Sequence, residues 1–79
     1  MREELEVTAD IMRRVLETTI LENDDDVIQE GVRQVDKVSQ QMGITADELL
    51  LEIVKKAVLA GHYTDINMYV RDGKLYMHN

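Results

Sequence analysis

The sequence contains no cysteine, so disulfides and thiolate metal sites are excluded. It also contains no proline, tryptophan or phenylalanine, and its aromatic side chains are three tyrosines. A hydrophobic core must therefore be built from Leu, Ile, Val, Met and Ala. The 79 residues predict a single domain, residues 1–79, near the lower size limit for a self-sufficient core, so its stability is expected to be marginal or shared with a partner.

Basic residues are also scarce: nine stand against sixteen acidic ones, and the net charge is −7. An acidic chain repels nucleic acid and anionic membranes, whose binding normally requires a basic face. The N-terminal residues lack the apolar centre of a signal peptide, and no apolar run approaches the length that spans a membrane. These absences favour a cytoplasmic protein that does not bind membranes, and they disfavour nucleic acid as a partner.

The clearest local signal is a joint between two helices. Gly43 can adopt the left-handed conformation that closes a helix. Thr45 and Glu48 form a capping-box pattern, in which the threonine hydroxyl accepts from the Glu48 backbone N–H and the glutamate carboxylate accepts from the Thr45 N–H. This pattern predicts that one helix ends at Met42 and that the next begins at Ala46.

Apolar residues spaced three and four apart predict helices over about 3–21, 25–42 and 46–60. The second helix has a narrow apolar stripe close to heptad spacing. Gly31 lies in it at a cost of ~1 kcal/mol relative to alanine, which we interpret as close approach by another helix. The third helix is apolar over more than half of its circumference, so it must be covered from two sides.

The acidic run 22–26 precedes the second helix. Consecutive aspartates cannot all face one ion, and the central glycine of an EF-hand loop is absent. We therefore predict that Asn23 or Asp24 caps the helix, that the neighbouring acids favour its positive end, and that no metal binds. An acidic docking patch is the alternative.

Asp72-Gly73 between two alternating segments predicts a β-hairpin with strands at about 66–71 and 74–78. A two-residue turn pairs Arg71 with Lys74 and Tyr69 with Tyr76. This register sorts the apolar residues onto one face. The predicted inner residues are Ile66, Met68, Val70, Leu75 and Met77.

The predicted fold is therefore α+β and mainly α, with three helices followed by a C-terminal hairpin. The third helix can be covered by the apolar face of the hairpin or by a second copy of the chain. We predict a homodimer that self-associates through Leu51, Val54 and Val58. Whether the hairpin or the second copy provides the cover is open at this point.

Tyr69 and Tyr76 face outward in this register, where they can stack across the strands. They can alternatively form a partner-binding patch together with Asn67, Arg71 and His78, because tyrosine is enriched in interface hot spots.

Catalytic and metal-binding patterns are weak. His62 and His78 with Asp65 match no recognised zinc spacing, and no nucleophile can be placed beside a base. We therefore expect no enzyme activity, no cofactor and no metal.

The order of helix, helix, Gly-Ile-Thr joint, helix and hairpin resembles winged helix–turn–helix domains from Val35 to Met77. It departs from that pattern at Glu52, where an apolar residue is usual, and in the length of the helix before the joint. The resemblance implies a third helix in the major groove and a wing at Arg71 and Lys74, although many winged helices bind proteins. The positions that match are Val38, Met42, Gly43, Ile44, Thr45 and Leu49.

From these patterns we expect a non-enzymatic, regulatory protein-interaction module. One alternative is a DNA-binding transcriptional regulator of the winged-helix type, with Arg71 and Lys74 contacting phosphate. Another is a small acidic inhibitor, such as a phage-type one, that presents carboxylates where its target expects nucleic acid.

Overall fold

The computed structural model of the protein describes residues 3–22, 25–62 and 67–78. Three helices are combined with one small antiparallel sheet, so the fold is α+β and mainly α, as predicted. The arrangement is compatible with a winged-helix-like fold. The elements in chain order are β1 (Glu4–Glu6), α1 (Ala9–Glu22), α2 (Asp26–Met42), α3 (Ala46–Leu59), β2 (Met68–Arg71) and β3 (Lys74–His78).

The N-terminal segment is where the sequence prediction is wrong. Residues 4–6 form a strand that pairs with β3, with Leu5 opposite Met77, and the first helix begins only at Ala9. The Val7 backbone N–H continues this pairing by donating to the Leu75 carbonyl at 2.8 Å. A hairpin edge has unpaired backbone groups that another strand can satisfy, which the helical spacing of Leu5 could not reveal.

The sheet has the strand order β1-β3-β2, so β3 is the central strand. Its pairing with β2 has the predicted register, including Tyr69 opposite Tyr76. Asp72 and Gly73 have φ angles of 54° and 76°, which is the left-handed conformation that the two-residue turn requires. Ile66, the predicted first residue of the hairpin, lies outside the described residues.

The start of α2 is capped by Asp25, whose carboxylate accepts from the backbone N–H groups of Val27 at 2.8 Å and Ile28 at 3.4 Å. The run of acids therefore does contain a helix cap, but the prediction named the wrong residue. Asp25 is the cap because it directly precedes the first helical residue. Asn23 and Asp24 lie outside the described residues.

The joint between α2 and α3 follows the prediction closely. Gly43 has a φ of 73°, and the Thr45 hydroxyl accepts from the Glu48 N–H at 3.3 Å. The reciprocal bond differs from the predicted one, because the Thr45 hydroxyl donates to the Glu48 carboxylate at 3.0 Å. The carboxylate thus binds the side chain of the cap residue instead of its backbone N–H.

The core lies between the sheet, α1 and α3. Val7, Met12 and Leu75 are its buried centre, and Leu75 on the central strand has no exposed surface. The apolar side of α3 packs against this centre, which answers the question that the sequence left open: the sheet and α1 cover the third helix. The α3 residues of this contact include Leu50, Leu51, Val54 and Val58.

Leu51, Val54 and Val58, which we had predicted as self-association residues, are thus half-buried against the core of their own chain. Less of their surface is free for a second copy than the sequence suggested, and self-association itself stays a prediction. In the part of the chain that the structure describes, no helix is long and apolar enough to cross a membrane.

Candidate interaction site

The outer face of the sheet groups the side chains that the sequence singled out. Successive residues of a strand point to opposite faces, and the inner residues of β2 and β3 pack on the helices. The outer residues therefore point away from the helices. We call this surface the tyrosine face, and it consists of Glu4, Tyr69, Arg71, Tyr76 and His78.

Aromatic stacking organises the tyrosine face. The rings of Tyr69 and Tyr76 stack across β2 and β3 with centroids 5.5 Å apart and an interplanar angle of 20°. Tyr69 also stacks on His78, with centroids 4.7 Å apart. The predicted cross-strand stack is confirmed, and such pairs contribute roughly 0.2–1 kcal/mol each to a sheet.

An ion pair spans the central strand. Arg71 on β2 contacts Glu4 on β1 with 2.7 Å between its Nη2 and the carboxylate Oε1. Because β3 lies between these strands, the guanidinium crosses over Tyr76, 4.6 Å from its ring centroid. Arg71 therefore links both edge strands and is held in place by a ring and a carboxylate.

Hydrogen bonding joins Glu4 to Tyr69 as well. The Tyr69 hydroxyl donates to the Glu4 carboxylate, and this bond, followed by the positive charge of Arg71, lowers the pKa of Glu4 despite some desolvation. Desolvation and the same hydrogen bond raise the pKa of Tyr69. Both shifts favour a charged Glu4 beside a neutral tyrosine donor.

Glu4 is the member of this face that sequence reasoning missed, because residues 3–21 were assigned to a helix. The usable signal was the alternation of Glu4 and Glu6 with Leu5 and Val7, which is the pattern of a strand with one apolar face. That alternation spans only four residues, and the helical pattern that follows it is longer.

Asn67 and His78 complete the predicted set. Asn67 is exposed at the margin of the sheet, and its carbonyl accepts from the His78 backbone N–H at 2.9 Å. The His78 Nδ1 atom is buried and has no hydrogen-bond partner among the described residues. The structure thus brings Tyr69, Arg71, Tyr76 and His78 into one contact network, with Asn67 at its edge.

Across 3–22, 25–62 and 67–78, no group of three or more His, Asp or Glu side chains is arranged to hold an ion. His62 directly follows the left-handed Gly61 at the end of α3, and its backbone N–H donates to Ala57 at 3.0 Å. Asp65 lies outside these ranges.

A second surface, which the sequence did not single out as a site, lies along α2. We call it the α2 seam, and it consists of Val27, Ile28, Gly31, Val35, Val38 and Met42. Several of these side chains are largely accessible: 80% of Val27, 59% of Met42 and 39% of Val38 are exposed. Val35 and Val38 of the seam also line an open groove of about 380 Å³, together with Gln34, Leu49 and Ile53.

Gly31 lies in the middle of the α2 seam. A Cβ atom built at this glycine meets nothing within 4 Å in the described chain. The close approach that we predicted at Gly31 is therefore not made by another helix of the same described chain.

Comparison of the chain with protein-family models, with curated proteins and with solved structures gives no match.

Proposed function

We propose that the protein is a non-enzymatic regulatory module that binds a protein partner through the tyrosine face. The observation that supports this most is the concentration of two of the chain's three tyrosines, with an arginine and a histidine, on one outer surface. Tyrosine and arginine are the residue types that dominate binding energy at protein interfaces.

Pre-organisation adds to the argument. Tyr69 and Tyr76 are held by stacking, and Arg71 is held by Glu4 at 2.7 Å, so these side chains have little conformational freedom left to lose when a partner binds. More than half of the Arg71 side chain, 54%, is still exposed. The face therefore combines fixed geometry with accessible hydrogen-bond donors.

Charge favours a protein partner over DNA. Arg71 is one of the two cations that the winged-helix resemblance would place on phosphate, and here it is already paired with a carboxylate. The first turn of α3, which would enter the major groove, carries Asp47 and Glu48. The net charge of −7 adds long-range attraction for a partner with a basic surface, as an acidic inhibitor would need.

The test is affinity capture from a lysate of the source cell, with and without nuclease, using the wild type, Arg71→Glu and Arg13→Glu. Arg13 is a matched control because it is also an exposed arginine in a salt bridge, with Asp10 at 3.0 Å, and 59% of its side chain is exposed. We expect a partner that survives nuclease and Arg13→Glu but is lost with Arg71→Glu.

Two results would contradict the proposal. Loss of all bound proteins on nuclease treatment would support the DNA-binding alternative, in which affinity also falls steeply with salt. Retention of the partner by Arg71→Glu would place the contact elsewhere. Circular dichroism of each variant confirms that the capture compares folded proteins.

A further inference from the structure

The α2 seam has the spacing of a helix–helix contact. From Ile28 its residues recur at alternating steps of three and four, which is the heptad pattern by which one helix packs on another. Among the described residues of α2, Ser39 is the buried one, and it lies to one side of the seam. The helix therefore packs on its own domain through the side that carries Ser39, and the seam lies next to that side. We infer that the α2 seam binds a second copy of this chain, with the two α2 helices antiparallel.

The absence of charge along the seam points to a second copy as the occupant. At about 100° per residue, the charged side chains of α2 all fall outside the arc of the seam. On one edge the seam is followed by Gln34 and Gln41, and on the other by Val32 and Ser39. The charged residues of this helix are Asp26, Glu30, Arg33, Asp36 and Lys37.

This arrangement matters because each chain carries a net charge of −7. Two copies can come together at low electrostatic cost only where carboxylates are kept away from the contact. A basic partner would gain no ion pair from the seam itself. The seam thus matches its own surface better than it matches a partner of opposite charge.

Gly31 provides the open space that a close contact between two helices needs. An antiparallel pair centred between Gln34 and Val35 places Gly31 opposite the partner's Val38 and Val27 opposite the partner's Met42. The glycine leaves open space in the described chain, and a valine of the second copy can fill it. A residue that has no packing role within one chain thereby acquires one between two chains.

The negative charges at the N-terminus of α2 favour an antiparallel pair over a parallel one. Asp25 and Asp26 lie at its N-terminus, and a parallel pair would bring these aspartates side by side with those of the partner. An antiparallel pair separates them by about 25 Å along the helix axis, beyond the screening length of about 8 Å at physiological salt.

The experiment is sedimentation equilibrium of the full chain at concentrations up to tens of micromolar, with three variants. Gly31→Glu places a charge in the seam at an exposed position with open space around it, so one chain can accommodate it. Val38→Glu does the same at a valine that is 39% exposed, and Val15→Glu on α1 is the control because Val15 is 47% exposed. We expect a dimer for the wild type and Val15→Glu, and a dissociation constant at least about tenfold higher for Gly31→Glu and Val38→Glu.

A wild type that is monomeric throughout this range would overturn the inference, as would a dimer that Gly31→Glu leaves unchanged. The outcome is independent of the tyrosine face, because Arg71→Glu is expected to leave the dimer intact.

Cysteine cross-linking tests the direction, and the absence of native cysteine makes it unambiguous. Met42→Cys and Val27→Cys proteins, mixed and oxidised, should form a disulfide-linked dimer that contains one copy of each variant. Met42→Cys oxidised alone should not link. Linking of Met42→Cys to itself, without the mixed product, would overturn the antiparallel arrangement.

Discussion

The two helices that meet at Gly43, α2 and α3, differ in how much of their apolar surface the rest of the chain covers. α3 is the more apolar of the two, yet its Leu51 and Val54 pack against the core of the chain. α2 has a narrower stripe, and its Val27 and Met42 remain 80% and 59% exposed. The amount of apolar surface on a helix therefore does not determine which helix is left uncovered.

The sheet explains the difference. The inner residues of β2 and β3 pack, together with α1, against the apolar side of α3, whereas Leu5 on β1 is 49% exposed. No described strand packs on the seam side of α2. A free apolar face is thus a property of the tertiary arrangement, and it falls on the helix farther from the sheet.

The largest expected effect is the difference in stability loss between a truncation in the core and one in the α2 seam. Leu75→Ala removes a fully buried side chain from the central strand and should lower the free energy of unfolding by about 2–5 kcal/mol, enough to unfold much of a small domain. Val38→Ala, at a position 39% exposed, should cost less than about 1 kcal/mol at concentrations where the chain is monomeric. Urea unfolding followed by circular dichroism measures both.

Equal losses for the two variants would mean that the α2 seam is buried as deeply as the sheet core. Leu59→Ala is the control for truncation of an exposed side chain, because Leu59 on α3 is 71% exposed.

A smaller loss of stability is expected from a substitution at the joint between α2 and α3. Thr45→Ala removes the hydroxyl that accepts from the Glu48 N–H at 3.3 Å, and loss of such a cap costs typically about 1 kcal/mol. Thr18→Ala, at an exposed position within α1, is the comparison, and alanine there should be neutral or slightly stabilising. A loss at Thr18 as large as that at Thr45 would show that the cap is not the cause.

Unlike the preceding substitutions, Gly31→Ala is expected to stabilise the single chain. The open space at Gly31 accepts a methyl group, and alanine in a helix interior is favoured by up to about 1 kcal/mol, so the dilute chain should unfold at higher temperature. The same methyl group should weaken the antiparallel contact, because it occupies the space for the partner's Val38. A dilute chain that becomes less stable would show that Gly31 already packs closely within one copy.

The sequence predicted well the features that depend on neighbouring residues. Gly43 and the Asp72-Gly73 turn require left-handed backbone, and their residue types indicate it directly, so the joint and the hairpin register were placed correctly. β1 was missed because its pairing with β3 joins residues seventy or more positions apart, and its alternation over four residues is a weaker local signal than the helical pattern that follows it.

The error at β1 carried over into the candidate site. With Glu4 assigned to a helix, the tyrosine face could be predicted only in its β2 and β3 parts, and Arg71 was left without its carboxylate. The sequence left open whether the hairpin or a second copy covers α3, because tertiary packing decides this and the local pattern does not. The Tyr69–Tyr76 stack was predicted correctly because it depends on the hairpin turn alone.

The smallest expected effect is on the pH dependence of stability. It compares a glutamate on the sheet with a glutamate on α2. The pKa of Glu4 lies below its ordinary value of 4.5, chiefly because Tyr69 donates to it and Arg71 is near. The pKa of Glu30 on α2 is lowered too, by hydrogen bonds from Gln34 and Arg33. A lowered pKa means that the folded chain binds the proton less readily than the unfolded chain, so both contributions to stability are complete above pH 4.5 and are lost as the pH falls through the folded-state value.

Glu4→Gln and Glu30→Gln should each remove part of the loss of stability between pH 6 and pH 3. They should differ in the tyrosine signal in near-ultraviolet circular dichroism. Glu4 anchors the guanidinium that crosses Tyr76, so its replacement should alter that signal at neutral pH, whereas the partners of Glu30 all lie on α2. An unchanged tyrosine signal in Glu4→Gln would mean that the rings hold their positions without the ion pair, and the pre-organisation of the tyrosine face would then rest on stacking alone.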